Sequence, residues 1–280
     1  MTDEAKRTYP PGVPCWVDVE QPDLRAGTEF YGALFDWDFT DAADADAPGD
    51  DPPYLFATLD GLDAAGLEAG DSGAGWVSYI ATDDIGRACV DVERAGGIVG
   101  VPPAGGASGL SATCADPQGA VFRLWQAGTH TGSQIANVPG AWNFSDLRTP
   151  DAAASLAFYG KVFGWRHDHE LGAGMLRLPG YGDHLAATID PEIHERQASA
   201  PPGFADVVAG LTPDAGAPTA TWDIRFTVAN RNASVTQAER LGATVVSRAD
   251  TEWTKEAVIL DPQGARLVLS QFAPPEDAGF

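Results

Sequence analysis

The sequence predicts an α+β fold made of four units of one plan, a strand, a helix and then several strands, grouped in two pairs. The pentapeptide DPQGA occurs at Asp116–Ala120 and again at Asp261–Ala265, 145 positions apart (261 − 116). The segments before the two copies, each with the motif ERxG, match at an offset of 146 (239 − 93). Further upstream, Trp16–Phe39 matches Phe144–His167 at an offset of 128 (144 − 16). Four segments that agree in order and spacing indicate a duplicated architecture.

Each unit is predicted to begin with a strand that leads into a capped helix. The helix starts are Asp23, Asp84, Asp151 and Asn230, whose side chains can accept a hydrogen bond from the first helical turn. The first and third helices carry Phe-Tyr and end in Phe-x-Trp, whereas the second and fourth end in ERxG, whose glycine suits a helix C-terminus. DPQGA fits a type I turn, so each copy is predicted to join two strands of a hairpin.

The chain length of 280 residues suits two domains of ordinary size. A polar stretch with several glycines and prolines separates the two halves and predicts a linker. We expect a first domain over residues 10–127, a linker over 128–141 and a second domain over 142–273, each domain holding two of the units.

Composition narrows the class of protein. The formal net charge of −23 argues against nucleic acid and anionic membranes as partners. The three cysteines form no CxxC pair, which argues against a zinc site and favours a reducing cytoplasm. No signal segment and no run of about 18 apolar residues occurs, so we expect a soluble, cytoplasmic protein. The sequence contains none of the motifs that bind nucleotide cofactors or carry out serine hydrolysis.

The repeated motifs of the chain resemble those of the vicinal oxygen chelate superfamily, also called the glyoxalase/bleomycin-resistance fold. The resemblance is carried by PD…FYxxLFxW over Pro22–Trp37, by PD…FYxxVFGW over Pro150–Trp165, and by the two DPQG hairpins with the helices before them. It implies four βαβββ modules that form two glyoxalase-like domains with curved mixed sheets. The two-domain layout and the phrase NVPGAW are similar to glyoxalase-like accessory proteins or hydroxylases of aromatic polyketide antibiotic pathways. A fold does not by itself give a function.

Metal-binding members of the superfamily take a His or Gln and a His from first strands and a Glu from a last strand, in the pattern DPxGNxxE. By the family spacing, the corresponding positions here hold Trp16, Val77 and Arg123 in the first half, and Phe144, Asp223 and Val268 in the second. Neither an apolar side chain nor a guanidinium can donate a lone pair to a metal. We therefore expect no metal centre of the family type and no cofactor.

The first-half cleft is expected to carry aromatic and charged side chains, because residues two apart on a strand share a face. Trp16, Tyr79 and Trp125 are predicted to form an aromatic wall that stacks on a flat ligand, with ordinary core packing as the alternative. Asp18, beside Trp16, is a candidate acid or base, and its alternative role is to cap a nearby turn or to bond to backbone. Arg123 is predicted to hold a ligand oxygen or to pair with Asp18.

The second half of the sequence offers a different set of candidate site residues. Asp146 is the repeat equivalent of Asp18 and the second acid–base candidate. Phe144, Asp223 and Arg225 are candidates for ligand contact, although an Asp223–Arg225 ion pair is the competing interpretation. His184, in YGDHLAATI, is expected on a late strand that brings its ring into the second cleft.

The leading hypothesis is a metal-independent protein that acts on a bulky aromatic small molecule in bacterial secondary metabolism. Asp18 or Asp146 would move a proton during cyclisation, isomerisation or assisted hydroxylation, and Arg123 would stabilise a developing oxyanion. The first alternative is a non-catalytic protein that sequesters an antibiotic. A weaker one is a metal-dependent lyase or dioxygenase with ligands elsewhere. A monomer or a homodimer fits the duplication.

Overall fold

The structure is a computed structural model that describes residues 6–41, 53–71, 73, 75–168, 171 and 174–275. Its strands form two eight-stranded mixed sheets, one in each half of the sequence. The element order repeats a strand, a helix and three strands four times, with additions in the third repeat. The predicted α+β class with four βαβββ modules is therefore confirmed. In the described ranges, no helix is long and apolar enough to cross a membrane.

The first sheet has the strand order β2-β3-β4-β1-β5-β8-β7-β6. Strand β1 is parallel to β4 and β5 is parallel to β8, whereas the hairpin strands are antiparallel. The elements of its first module are β1 (Pro14–Gln21), α1 (Leu24–Phe35), β2 (Asp38–Asp41), β3 (Tyr54–Leu59) and β4 (Leu62–Ala69). Those of its second module are β5 (Trp76–Ala81), α2 (Ile85–Arg94), β6 (Ile98–Gly106), β7 (Gly109–Ala115) and β8 (Val121–Ala127).

The second sheet has the matching order β10-β11-β12-β9-β13-β16-β15-β14. Its third module consists of β9 (Trp142–Thr149), α3 (Ala152–Phe163), β10 (Arg166–His167), β11 (Met175–Arg177), α4 (Tyr181–Thr188), α5 (Ile193–Arg196), a short 3-10 turn (Phe204–Asp206) and β12 (Val207–Pro213). The fourth consists of β13 (Thr221–Thr227), α6 (Arg231–Arg240), β14 (Thr244–Asp250), β15 (Thr254–Leu260) and β16 (Arg266–Phe272).

The predicted helix starts and ends are confirmed at residue level. Asp23, Asp84, Asp151 and Asn230 are the N-caps of α1, α2, α3 and α6, and each side chain accepts a hydrogen bond from the backbone N–H three residues on. Gly96 and Gly242 follow the ERxG helices with φ of +95° and +97°, a conformation that glycine adopts without steric cost. Local capping chemistry thus fixes these boundaries.

His184 corrects one expectation, because it lies on helix α4 and not on a strand. The segment from Tyr181 to Thr188 is rich in Ala and Leu, which favour a helix, and Gly180 precedes it in the left-handed conformation. The predicted strand at YGDHLAATI was therefore wrong.

The residues pack into two compact units, each of which combines one module from each half of the sequence. The first unit comprises Met1–Cys15, Ser78–Gly132 and Ser145–Trp222; the second comprises Trp16–Val77, Ser133–Phe144 and Asp223–Phe280. Residues that are distant in the sequence therefore share a core. The predicted domain limits remain a prediction.

The DPQGA turn near the C-terminus anchors the core of the second unit. Buried Asp261 accepts hydrogen bonds from the Tyr31 hydroxyl at 2.7 Å and from Gln21 Nε2 at 2.9 Å. Trp76 Nε1–H donates in turn to the Tyr31 oxygen at 3.1 Å. Burial, followed by the nearby Asp261 carboxylate, raises the pKa of Tyr31 well above its ordinary value of 10.0. Tyr31 is thus held as a neutral donor in the core.

The earlier DPQGA copy does the same in the first unit. The Tyr159 hydroxyl donates to Asp116 at 3.2 Å, and burial followed by the Asp116 carboxylate raises the pKa of that tyrosine well above 10.0. Gln118 accepts a hydrogen bond from the backbone N–H of Asp151 at 2.9 Å and donates to its carbonyl at 3.0 Å. The duplicated pentapeptide is therefore a structural clamp on the start and the tyrosine of a helix.

Candidate functional site

The duplication supplies an internal comparison for choosing functional residues. A feature present in both halves, such as the Tyr31–Asp261 and Tyr159–Asp116 pairs, is part of what the fold needs. A polar network present in one half alone is not required by the fold, since the other half forms its sheet without it. Such one-sided networks are the first candidates for function.

One of them lies in the second unit and joins Trp16, Tyr54 and Asp18. Trp16 Nε1–H donates to the Tyr54 oxygen at 2.7 Å, and the Tyr54 hydroxyl donates to Asp18 Oδ2 at the longer distance of 3.4 Å. Trp16 and Asp18 are 2% and 1% exposed, whereas Tyr54 is half-buried. The buried carboxylate therefore has beside it a tyrosine side chain that is itself partly exposed.

Strand register explains how a phenol fits over this strand. Asp18 on β1 lies opposite Gly66 on β4, and Gly66 lies opposite Phe56 on β3, so the three share one face of the sheet. A Cβ atom on Gly66 would overlap the Tyr54 hydroxyl. Phe56 packs edge-on against Trp16 at 6.0 Å and against Tyr54 at 5.6 Å between ring centroids. Three aromatic rings that contact one another thus lie on the sheet face that carries Asp18, and one of them, Tyr54, is hydrogen-bonded to its carboxylate.

The second half keeps the aspartate and one aromatic ring but lacks counterparts of Tyr54 and Phe56. Asp146 lies opposite Gly210, as Asp18 lies opposite Gly66, and its carboxylate accepts a hydrogen bond from Thr212 Oγ1 at 3.2 Å. Phe144 stands at the position that matches Trp16, and β11 reads Met-Leu-Arg, without a tyrosine. Asp146 is also half-buried rather than enclosed. The network around Asp18 is therefore specific to the first half.

A second one-sided group lies in the first unit around Arg123. One η nitrogen of Arg123 donates to the Tyr79 hydroxyl at 2.5 Å, and the guanidinium lies 5.4 Å from the centroid of that ring. Trp125 packs edge-on against Tyr79 with a centroid distance of 6.0 Å. At the matching positions of the fourth module, Arg225 lies opposite Val268, so neither the tyrosine nor the arginine is repeated in place. Two of the three predicted wall residues, Tyr79 and Trp125, are in contact.

The face that carries Arg123 continues as an apolar surface. Register places Tyr79, Arg123, Thr113 and Val101 side by side across β5, β8, β7 and β6. Val101 is 53% exposed, and Val121 and Ile98 on the same sheet are 44% and 64% exposed. A cation set in an apolar sheet face can hold a ring system that bears an anionic oxygen. We use the name Arg123 surface for the six residues of this face: Tyr79, Ile98, Val101, Thr113, Val121 and Arg123.

A small cavity of about 240 Å³ lies beside Trp125 in the first unit. It is lined by the ends of β5 and β8 and by N-terminal residues: Thr8, Tyr9, Ala81, Thr82, Asp83, Trp125, Gln126, Ala127 and Thr131. Its volume is below the roughly 300–1,000 Å³ of sites that enclose drug-sized molecules. It can admit part of a ligand or ordered water.

The remaining candidates have structural partners. Asp223 accepts from Arg266 Nε at 2.7 Å, and Arg225 forms an ion pair with Glu256 at 2.5 Å. Phe144 is half-buried on β9. The ring of His184 lies 3.0 Å from the backbone oxygen of Thr8, on the surface of the first unit.

The residues present do not fit a metal site of the family type. Trp16 uses its indole N–H as a hydrogen-bond donor and Arg123 is a guanidinium, so neither position supplies a lone pair. In the part of the chain that the structure describes, no three His, Cys, Asp or Glu side chains are grouped so as to hold a metal ion.

Tyr54, Phe56 and Gly66 are the site residues that sequence reasoning missed. They lie on β3 and β4, whose register against β1 depends on tertiary pairing and carries no motif. The only local signal is the alternation of Tyr54, Phe56 and Thr58 on one face of a strand.

Comparison with known proteins gives relatives over nearly the whole chain. A family model described as "Glyoxalase-like domain" matches residues 144–270. The chain is 31% identical over 280 residues to CFP32 of Mycobacterium tuberculosis (strain CDC 1551 / Oshkosh), covering 96% of this chain and 98% of that protein. It is 31% identical over 277 residues to the anthracycline biosynthesis protein DnrV of Streptomyces peucetius, covering 92% of each.

Solved structures with the same fold include a glyoxalase and a dioxygenase. The Mn(II)-bound glyoxalase from Novosphingobium aromaticivorans aligns with a TM-score of 0.57 at 15% identity, over 93% of this chain and 82% of that one. The 2,3-dioxygenase LapB from Pseudomonas sp. KL28 aligns with a TM-score of 0.54 at 13% identity, over 98% and 95%. At these identities the likeness shows the fold alone.

Proposed function

Since this chain belongs to the family of glyoxalase-like proteins with the vicinal oxygen chelate fold, we propose that it works on a bulky aromatic small molecule by proton transfer at Asp18, without a metal ion. The observation that carries the proposal is the enclosed Asp18 carboxylate, hydrogen-bonded to Tyr54 on a face lined by Trp16 and Phe56. An acid or base in such surroundings contributes through its position and its exclusion from water.

The class of ligand follows from the relatives and the aromatic groups together. DnrV is named for anthracycline biosynthesis, and anthracyclines are built on flat polycyclic aromatic ketones. Tyr54 and Phe56, which are half-buried, offer ring surface of the kind that binds such systems, and the buried Trp16 packs behind them. A hydrogen on carbon next to an aromatic ketone is acidic enough for carboxylate-assisted removal, and that reaction class includes isomerisation and cyclisation. We place this chemistry in the bacterial cytoplasm, which the three buried free cysteines favour.

The test uses anthrone, a tricyclic aromatic ketone whose C10 hydrogens are acidic. Proton NMR in D₂O measures how fast the protein exchanges those hydrogens for deuterium. Asp18→Asn is expected to lower the catalysed exchange rate about 100-fold or more, because a positioned acid or base contributes roughly 10²–10⁴-fold. Asp146→Asn, the matched change in the other half, is the control and should leave the rate within about threefold. Equal rates for wild type and Asp18→Asn would contradict the proposal.

Metal independence has its own measurement. Elemental analysis of the purified protein is expected to find less than one tenth of a metal ion per chain, and EDTA is expected to leave the exchange rate unchanged. Loss of the rate in EDTA, with recovery on adding Mn²⁺ or Zn²⁺, would reject this part of the proposal.

A second candidate function, non-catalytic binding of an aromatic antibiotic, is favoured by the Arg123 surface. Its test is absorbance titration with 1,8-dihydroxyanthraquinone. Arg123→Met keeps the aliphatic volume of the side chain but removes the charge, and it is expected to weaken binding about tenfold or more. Tight binding lost in Arg123→Met, together with no catalysed exchange in wild type, would favour sequestration over catalysis.

A further inference from the structure

We propose that the Tyr54 phenol is the group that exchanges a proton with the bound molecule, and that Asp18 receives or returns the proton through it. This inference rests on the proposed function and names the proton path within the same site.

Tyr54 and Asp18 differ in their exposure to solvent. Asp18 is 1% exposed, whereas Tyr54 is half-buried, and its hydroxyl is hydrogen-bonded to the carboxylate. A ligand that reaches this face from solvent therefore meets the phenol. The hydrogen bond from the Tyr54 hydroxyl to Asp18 Oδ2 links that side chain to the carboxylate.

The hydrogen bonds around the Tyr54 phenol suit proton transfer both to and from Asp18. Trp16 Nε1–H donates to the Tyr54 oxygen at 2.7 Å, so it stabilises negative charge that develops there. The Tyr54 hydroxyl is directed at Asp18 Oδ2, which accepts its proton. The ligand C–H bond breaks and its proton passes to the Tyr54 oxygen as the phenol proton passes to Asp18. The electron pair stays on the ligand and is delocalised onto its carbonyl oxygen, so no oxidant or reductant is needed.

Gly66 is the positioning residue for this hydroxyl. It lies opposite Asp18 on the neighbouring strand, and a Cβ atom there would occupy the place of the Tyr54 hydroxyl. Because the overlap is with the hydroxyl and the ring end of the Tyr54 side chain and not with backbone, a methyl group at Gly66 is expected to displace the whole phenol rather than unfold the sheet.

A purely structural role for Tyr54 is the competing interpretation, and the chain contains its own reference for such a role. Trp76, Tyr31 and Asp261 form the same series of donor and acceptor groups, but Tyr31 is 0% exposed and its counterpart Tyr159 is 1% exposed. Those tyrosines occur in both halves. Tyr54 is half-buried and occurs in one half, as a residue that contacts ligand would.

The experiment measures anthrone exchange at C10 in D₂O with the full chain, together with the anthrone Kd from fluorescence titration. Tyr54→Phe and Gly66→Ala are each expected to lower the exchange rate at saturating anthrone about 100-fold, with the Kd changed less than about threefold. Tyr31→Phe is the matched control, and Gly210→Ala controls for a methyl group at the equivalent strand position. Both controls should keep the wild-type rate, and circular dichroism confirms that each variant is folded.

The outcomes separate the inference from the proposed function. Loss of exchange in Asp18→Asn but not in Tyr54→Phe means that Asp18 acts directly, which overturns the inference and leaves the proposed function standing. If Tyr54→Phe loses exchange and Gly66→Ala does not, the role assigned to Gly66 is wrong. If wild type neither binds anthrone nor speeds its exchange, the proposed function fails and the inference fails with it.

Discussion

Replacing Tyr31 by Phe should destabilise the protein without changing its chemistry. The Tyr31 hydroxyl donates to the buried Asp261 carboxylate at 2.7 Å and accepts from Trp76 Nε1–H at 3.1 Å. A hydrogen bond to a charged group contributes about 1.5–3 kcal/mol, and a buried donor left without an acceptor costs about 1–3 kcal/mol. Gln21 still donates to Asp261, which offsets part of the loss. We expect the free energy of unfolding to fall by about 2–4 kcal/mol.

The assay is urea unfolding followed by tryptophan fluorescence and far-UV circular dichroism, for Tyr31→Phe, Asp261→Asn and the double variant. The double-mutant cycle isolates the pair and is expected to give a coupling of about 1.5–3 kcal/mol. Tyr54→Phe is the opposite case, because Tyr54 is half-buried and water can replace its hydrogen bonds, so we expect a loss of about 1 kcal/mol. A coupling below about 0.5 kcal/mol would refute the view that DPQGA acts as a clamp.

Three further predictions follow from backbone conformation and burial. Asp36 ends α1 with φ of +63°, where its repeat equivalent Gly164 has φ of +75°. Asp36→Gly should therefore raise the unfolding free energy by about 0.5–1 kcal/mol in urea titrations, and Gly164→Asp should lower it by about as much. Gly140 has φ of +88°, and a Cβ atom there would lie 2.7 Å from the Phe35 carbonyl oxygen; Gly140→Ala should cost about 2 kcal/mol or more, and an unchanged urea midpoint would contradict this. Burial raises the pKa of Asp116 above 3.8, so the folded chain binds that proton more tightly than the unfolded chain. The stability that Asp116 contributes is present below pH 3.8 and is lost as the pH rises through the raised pKa. The unfolding free energy of wild type should therefore fall relative to that of Asp116→Asn as the pH rises, so that the two pH profiles converge or cross. Parallel profiles would contradict this prediction.

Local sequence chemistry was sufficient to predict much of the fold. The four N-caps and the ERxG glycines were read from residue type, because capping depends on atoms only two or three residues away. The same reasoning failed at His184, where an insertion in the third module forms helix α4 and no repeat was at hand to guide the interpretation.

The site was only partly predictable. Trp16 and Asp18, or Tyr79 and Trp125, could be paired by counting along strands, since side chains alternate with a period of two. That Asp18 lies opposite Gly66, and that Tyr54 reaches over this glycine, depends on the register between strands that are about 50 residues apart in sequence. No local pattern encodes that register.

The sequence by itself determined the four-module plan, the helix boundaries and the residue types at the family's metal positions, where Asp223 is the single lone-pair donor among the six, because each of these follows from residue identity and short spacing. The tertiary structure alone decided what the two DPQGA turns hold, Tyr159 for the earlier copy and Tyr31 for the later one. It alone also decided which of the two equivalent aspartates is buried and hydrogen-bonded to a tyrosine. The physical reason is that burial and hydrogen bonding between distant strands and helices depend on how the whole chain packs, and duplicated segments meet different neighbours once it has folded.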